Sequence, residues 1–225
     1  MTEIKPIGEI LTPFKEKFGI PRQSGRAKSA QGKILFYPEF SDINAFSGLE
    51  EFSHIWIIFD FNKAHKDNFS PTVRPPRLGG NKRMGVFATR SPFRPNSLGL
   101  TVAQLIKIEK EKNRVAVYVK GIDILDGSPI YDIKPYIPYA DSVCDAVGGF
   151  SDDKKHHKLN VEIPNEISKK IPEEIRKLLK ECLSDDPRPA YQNDERNYSL
   201  RLEDYDFSFF VKENTASVKK FRKLK

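Results

Sequence analysis

The stretch RPPRLGGNKRMGVFATRSPFRPNSLGLT, from Arg74 to Thr101, is the segment around which the rest of the chain is organised. It lies inside a longer interval, Asn68 to Ile108, that contains no acidic residue but seven cationic ones: Arg74, Arg77, Lys82, Arg83, Arg90, Arg94 and Lys107. Arginines held on turns fixed by glycine and proline lose little entropy on binding, and their planar guanidinium suits carboxylate or phosphate. A solvated charged face is the competing interpretation. The fixed turns favour an anion-binding site.

Composition supports a globular protein with an anionic partner. The 225 residues suffice for one large domain or one plus a small partner, and 38% of them are hydrophobic. A net charge of +7 favours nucleic acid over a membrane surface. The longest apolar run, Ile55 to Phe61, is too short to span a bilayer, and the start resembles no secretory signal. Two cysteines, Cys144 and Cys182, suit a reducing compartment, so we expect a cytoplasmic protein.

Apolar periodicity predicts a first domain, residues 1–147, made mainly of β-strands. Strands are predicted over Ile4–Leu11, Lys33–Tyr37 and His54–Asn62, and a hairpin over Leu98–Glu109 and Arg114–Lys120. The following segment, Asp123–Asp141, is rich in turn residues. Because many short strands occur without long amphipathic helices, a closed or nearly closed barrel is the expected fold.

A small α+β domain, residues 148–225, is expected after a polar linker, SDDKKHHK. It should contain a short strand at Leu159–Ile163 and a helix opened by Pro172 whose apolar positions include Cys182. A hairpin should follow, with Tyr198–Leu202 and Phe207–Val211 as its strands. The basic tail VKKFRKLK is expected to be mobile until it meets phosphate.

Several common kinds of site are disfavoured. The chain has no G-x-G-x-x-G after a strand, no P-loop and no H-E-x-x-H. His54 and His65 lie outside any cluster with metal-ligand spacing, so no metal is expected. From the residues alone, the supported function is an RNA-compatible β domain that binds anions.

Within the central stretch, GVFATRSPFRPNSLG, residues 85–99, closely resembles the signature of the TsaA-like (TrmO) family. Matching segments occur in the family's order elsewhere: KEKFGIPRQSG, TVRPPRLGGN, ILDGSPIYDIKPYIPYADS and DPRPAY. The resemblance implies a β-barrel tRNA methyltransferase that uses S-adenosylmethionine. The implied acceptor is N6 of threonylcarbamoyladenosine at position 37, in the anticodon stem-loop of tRNA. A homodimer with the cofactor near the subunit boundary is implied as well.

The resemblance also implies the contacts to S-adenosylmethionine, which are Pro21, Arg22, Gln23, Asn62, Lys63, Arg90, Leu100, Asp126, Gly127, Ser128 and Pro129. Asn62 departs from the family, in which many members carry histidine at this position. Without the resemblance, the PRQ segment is a surface loop and Asp126 an ordinary turn residue. No side chain identifies itself as a general base, so no catalytic residue is assigned.

Six further residues are candidate substrate contacts: Arg77, Arg83, Arg94, Asn96, Arg188 and Tyr191. The first four could hold the threonyl carboxylate or anticodon-loop phosphates, or they could fix loops by hydrogen bonds. The last two could reach RNA, with the tyrosine stacking on a splayed base, or they could lock the two domains together.

Two other functions compete with this one. A non-catalytic RNA-binding barrel would have no need of a cofactor pocket, so the presence of PRQ, Arg90 and DGSP together argues against it. A methyltransferase of the same fold could act on another RNA or on a small molecule. The DPRPAY segment, which resembles that of the tRNA-acting members, argues against this second alternative.

Overall fold

The structure, a computed structural model, describes residues 3–75, 78, 82–154, 158–189 and 196–224. Six strands form a closed antiparallel barrel in the order β1-β2-β7-β6-β3-β8. In chain order these strands are β1 (Gly8–Leu11), β2 (Gln31–Phe36), β3 (His54–Asp60), β6 (Leu98–Glu111), β7 (Arg114–Lys120) and β8 (Ser128–Pro135). A small hairpin of β4 (Thr72–Val73) and β5 (Met84–Gly85) lies in the connection between β3 and β6.

Alternate residues of the barrel strands fill its interior. Ile55 and Ile57 of β3 are fully buried, and Val117 of β7 lies among them. Period-2 alternation of this kind places one face of each strand in the core. The predicted barrel and the predicted β6–β7 hairpin are therefore confirmed.

The prediction for Asp123–Asp141 missed a strand. Eight of those residues form β8, which pairs with both β3 and β1 and so closes the barrel. Its two prolines, Pro129 and Pro135, made it look like a turn-rich segment. They lie near the ends of the strand, where a missing N–H costs the ladder least.

The second unit is a four-stranded sheet packed with a helix. Its order is β10-β11-β12-β9, with β9 (Asn160–Glu162) parallel to β12 (Thr215–Lys223) and β10 (Tyr198–Leu202) paired to β11 (Tyr205–Lys212). Among the described residues the α-helices are α1 (Pro138–Asp141), α2 (Asn165–Ser168) and α3 (Glu173–Ser184). The predicted helix is confirmed as α3, with Pro172 as its N-cap and Cys182 buried.

The prediction of a mobile basic tail is wrong. Most of the tail belongs to β12, in which Val218 is only 2% exposed and Phe221 stacks on Phe207 with ring centroids 6.2 Å apart. A bulge between Ser208 and Phe209 shifts the register of β12 on β11. That shift interrupts the alternation that would have marked the tail as a strand.

The loop from Thr12 to Ala30 joins the barrel to the second unit. Phe18 of this loop stacks on Tyr198, and the N–H of Glu203 donates to the carbonyl of Pro13. Gly19 has a φ of +92°, and an added Cβ would lie 1.8 Å from Leu200 Cδ1. Only glycine fits that position. None of the helices in the described part of the chain is long and apolar enough to cross a membrane.

Candidate functional site

One end of the barrel gathers the segments that sequence analysis selected. All neighbouring barrel strands are antiparallel, so β1, β3 and β7 end where β2, β6 and β8 begin. The connections at that end are residues 12–30, 61–97 and 121–127, and we call it the site end. The PRQ segment, Asn62–Lys63, Arg90 and the start of the DGSP turn all lie in these three connections.

A hydrogen bond joins two of these loops directly. Arg90 donates through its NH1 group to Oε1 of Gln23, and both side chains lie at the surface. The bond links the glutamine of the PRQ segment to the arginine of the family-like signature. An exposed guanidinium with one neutral partner keeps donors available for an anion.

Asp123, in the third loop, is a polar residue at the site end that sequence analysis did not select. Its Oδ1 accepts a hydrogen bond of 2.6 Å from the hydroxyl of Thr101, which is 4% exposed. Burial raises the pKa of Asp123, while the Thr101 bond and the positive charge of Arg90 act in the opposite direction. Asp123 lies between Ile122 and Ile124, both fully buried. A lone carboxyl between two isoleucines was the signal that could have identified it.

A second polar group lies where β3 ends. Asp60 is 7% exposed, and its Oδ1 lies 2.7 Å from Nε2 of His65. Burial raises the pKa of Tyr131, and a hydrogen bond to Asp60 raises it further. Two residues beyond Asp60, the buried Oδ1 of Asn62 has no hydrogen-bond partner in the described part of the chain. That oxygen is an acceptor ready for a ligand's N–H.

The DGSP turn lies at the site end, but its side chains bond within the protein. Asp126 accepts a bond of 2.8 Å from the N–H of Thr12 and forms an ion pair of 2.9 Å with Lys15. The hydroxyl of Ser128 donates to the carbonyl of Leu125, and Pro129 pairs with Glu9 in the barrel. Gly127, exposed and with φ +70°, turns the chain between them.

Arg22 and Arg188 connect the first loop to the second unit. The Arg22 guanidinium donates to the carbonyls of Asp186 and Arg188, while Arg188 pairs with the carboxylate of Asp186 at 2.9 Å. The contact between the first loop and the second unit therefore comes from the Arg22 side chain, whereas the Arg188 side chain pairs within the second unit. Tyr191 lies outside the described residues.

Some of the remaining candidate residues hold loops in place through hydrogen bonds, and others are exposed. Arg94 donates to the carbonyls of Val86 and Thr89, at 3.4 and 2.7 Å, and Arg83 donates to the hydroxyl of Thr72 at 3.0 Å. Asn96, Lys63 and Leu100 are exposed, and Pro21 is buried. Arg77 lies outside the described residues.

Exposed apolar side chains surround this region. Leu100 is 58% exposed and Leu98 38% exposed on the outer face of β6, and in the preceding loop Phe87 is 71% exposed. Phe87 stacks on Phe69 with centroids 6.4 Å apart, and the Arg94 guanidinium lies 5.7 Å from its ring. Apolar side chains clustered in this way beside polar groups are typical of a binding surface.

Comparison with known proteins agrees with this geometry. Residues 9–142 match the model of the tRNA-methyltransferase O N-terminal domain, and residues 156–224 match that of the TrmO C-terminal domain. An Escherichia coli protein named tRNA (adenine(37)-N6)-methyltransferase is 39% identical over 93% of each chain. A Pseudomonas aeruginosa protein whose name refers to S-adenosylmethionine-dependent methyl transfer is 43% identical over 90% of each chain.

Solved structures give the same result. A crystal structure of TrmO from Pseudomonas aeruginosa superposes with a TM-score of 0.80 at 34% identity, covering 99% of this chain and 97% of that one. The likeness spans both the barrel and the second unit. The chain belongs to the tRNA-methyltransferase O family.

Proposed function

We propose that this protein transfers a methyl group from S-adenosylmethionine to N6 of threonylcarbamoyladenosine at position 37 of tRNA. The observation that carries the proposal is the site end, where three loops bring together the PRQ segment, Asn62–Lys63, Arg90 and the DGSP turn. The names of the E. coli and P. aeruginosa relatives support tRNA as substrate and S-adenosylmethionine as cofactor.

The residues at the site end fit such a cofactor. The partnerless Oδ1 of Asn62 can accept from the amino group of the adenine, and the exposed side chain of Leu100 offers it an apolar contact. Arg90 or Lys63 can face the carboxylate of the methionyl part. Because the side chains of Arg22, Asp126 and Ser128 bond within the fold, we assign these segments to contacts through their backbone.

The cofactor supplies a methyl group already activated by its sulfonium. The protein must then hold N6 in line with that carbon, so proximity and orientation account for most of the catalysis. Transfer would form a carbon–nitrogen bond at N6 as the carbon–sulfur bond breaks, with S-adenosylhomocysteine as the leaving group and the N6 proton passing to water. Loops fixed by the Gln23–Arg90 and Thr101–Asp123 bonds provide a rigid frame for that alignment.

We assign the anticodon stem-loop to the loop of residues 61–97 at the site end, which carries Arg83, Arg94 and Asn96 and in which Arg94 lies over the exposed ring of Phe87. Cations there can meet phosphate, and aromatic rings can stack on unpaired bases. We also propose a cytoplasmic homodimer, since the exposed Leu98 and Leu100 leave an apolar strip that a second copy could cover. The two domains are assigned to residues 1–147 and 148–225, in keeping with the two matched family models.

Mass spectrometry of tRNA nucleosides tests the proposal in cells. Cells with the gene should contain the N6-methylated form of threonylcarbamoyladenosine, and cells without it should contain only the unmethylated form. An identical nucleoside profile in both would reject this substrate and favour a methyltransferase for another one.

A further inference from the structure

A cleft of about 500 Å³ lies between α3 and β9 in the second unit. We call it the α3–β9 cleft. Its lining includes four cationic side chains and two carboxylates, which are Arg26, Lys158, Lys177, Lys180, Glu181 and Asp185. A neighbouring cleft shares Lys177 and Lys180 with it. The two lysines therefore border both clefts beside α3.

Both carboxylates of the cleft are already engaged. Glu181 accepts from the N–H of Ser29 at 2.8 Å and from its hydroxyl, and Asp185 pairs with Arg26. Asp185 is only 6% exposed, and the Arg26 guanidinium pairs with its charge. These contacts use the acidic groups to attach the loop of residues 12–30 to α3.

The lysines of the cleft have no such role. Lys158, Lys177 and Lys180 are exposed, and no acidic group pairs with them in the part of the chain that the structure describes. Lys158 also ends the sequence KKHHK, residues 154–158, so the preceding chain is basic too. With four cations and two carboxylates in its lining, the α3–β9 cleft keeps a formal charge of +2, which suits an anionic ligand.

The position of the cleft relative to the site end indicates which anion it binds. Arg26 lines it, and Gln23, three residues earlier in the same loop, bonds to Arg90 at the site end. Three residues span at most about 11 Å. An RNA that presents a base at the site end thus has neighbouring phosphates within reach of the cleft.

We infer that the α3–β9 cleft binds backbone phosphates of tRNA and so aligns the RNA on the loop that carries the PRQ segment. The inference rests on the proposed function, since it takes tRNA as the substrate. Lysine meets phosphate as a point charge, so these contacts position the RNA without reading its sequence.

The test compares two triple variants by tRNA binding over a range of salt concentrations, with unmodified tRNA transcript as the probe. The cleft variant carries Lys158→Gln, Lys177→Gln and Lys180→Gln. The matched control carries Lys5→Gln, Lys110→Gln and Lys112→Gln, which removes the same charge at the opposite end of the barrel. Since each lost phosphate contact lowers the salt slope by about 0.7–0.9, the cleft variant with its three replaced lysines should lose roughly 2–3 units of slope. Its Kd at physiological salt should rise roughly ten- to fifty-fold.

The control should bind tRNA nearly as the wild type does, and both variants should keep the wild-type melting temperature and affinity for S-adenosylmethionine. If the cleft triple does not fold, its three single variants replace it, each expected to lower the slope by just under one unit. An unchanged slope and affinity in the cleft variants, or equal losses in cleft and control, would overturn the inference and leave the proposed function standing. A wild-type protein that binds no tRNA would overturn both.

Discussion

Replacement of Arg90 by alanine tests whether this side chain serves binding or the fold. Arg90 is exposed, and its one hydrogen bond in the described structure goes to the neutral side chain of Gln23. Such a bond contributes about 0.5–1.5 kcal/mol to the free energy of unfolding, and less when it lies at the surface. In a chain of this size about 1 kcal/mol shifts Tm by roughly 2–4 °C, so Arg90→Ala should melt within a few degrees of the wild type.

Turnover should fall much further. A charge-assisted hydrogen bond to a carboxylate or phosphate is worth about 1.5–3 kcal/mol, which corresponds to roughly ten- to a hundred-fold in kcat/KM. The assay is methyl transfer from S-adenosylmethionine to tRNA that carries threonylcarbamoyladenosine, with melting followed in parallel by circular dichroism. Arg201→Ala is a suitable control, because in the described part of the chain the side chain of Arg201 makes a single hydrogen bond, to the carbonyl of Glu203 at 3.5 Å.

The control should retain both activity and Tm. If Arg90→Ala unfolds, Arg90 is a structural residue. If the variant keeps the wild-type kcat/KM, Arg90 does not contribute to the site. Either result would refute the assignment of Arg90 to anion binding.

Three further predictions concern other parts of the molecule. Because burial raises the pKa of Asp123, the folded state favours the protonated carboxyl, and folding stability falls as pH rises through the raised pKa and the buried group ionises. Asp123→Asn, which cannot ionise, should therefore be at least as stable as the wild type at pH 7 in urea unfolding, and this advantage should disappear near pH 4. A large loss of stability in the variant at pH 7 would contradict this. Burial also raises the pKa of the Cys182 thiol, whereas Cys144 is exposed, so mass spectrometry of the native protein should show one alkylation, at Cys144, and labelling of both would count against the buried helix face. S-adenosylmethionine should bind in calorimetry with a chelator present, since no group of three or more potential ligands to a metal occurs among the described residues; binding that vanishes with chelator would contradict the assignment.

Local patterns predicted much of the fold. Alternating Val115, Val117 and Val119 predict the hairpin of β6 and β7. Pro172 and the apolar stripe that follows it predict α3. Both patterns are local in the sequence, so they predict these elements without information about residues far away in the chain.

Elements that depend on distant pairing were missed. β8 closes the barrel by pairing with β1, more than a hundred residues earlier in the chain, and its prolines conceal it locally. β12 pairs with β11 through a bulge and with β9 in parallel, so neither partner leaves a clear period in the tail. Deleting the tail would therefore remove a strand, so the expectation that its lysines and arginine meet phosphate must be tested by substituting their charges instead.

The site was predicted only in outline. Resemblance selected the loops that meet at the site end, but it could not show which polar groups the fold itself uses. Asp126 and Arg22 are engaged in internal contacts, whereas Asp123, which was not selected, lies beside Thr101 and within the field of Arg90. Such assignments depend on three-dimensional neighbours that no spacing in the sequence encodes.

The central claim is that the site end recognises threonylcarbamoyladenosine in tRNA, and it is tested by one methylation assay. Transcript tRNA is supplied with S-adenosylmethionine before and after enzymatic installation of threonylcarbamoyl at position 37. Both forms should bind, because phosphate contacts do not depend on the modification. Only the modified form should be methylated, since its carboxylate and its more acidic N6–H are what a cationic, preorganised site can use. Equal methylation of both forms would contradict the account.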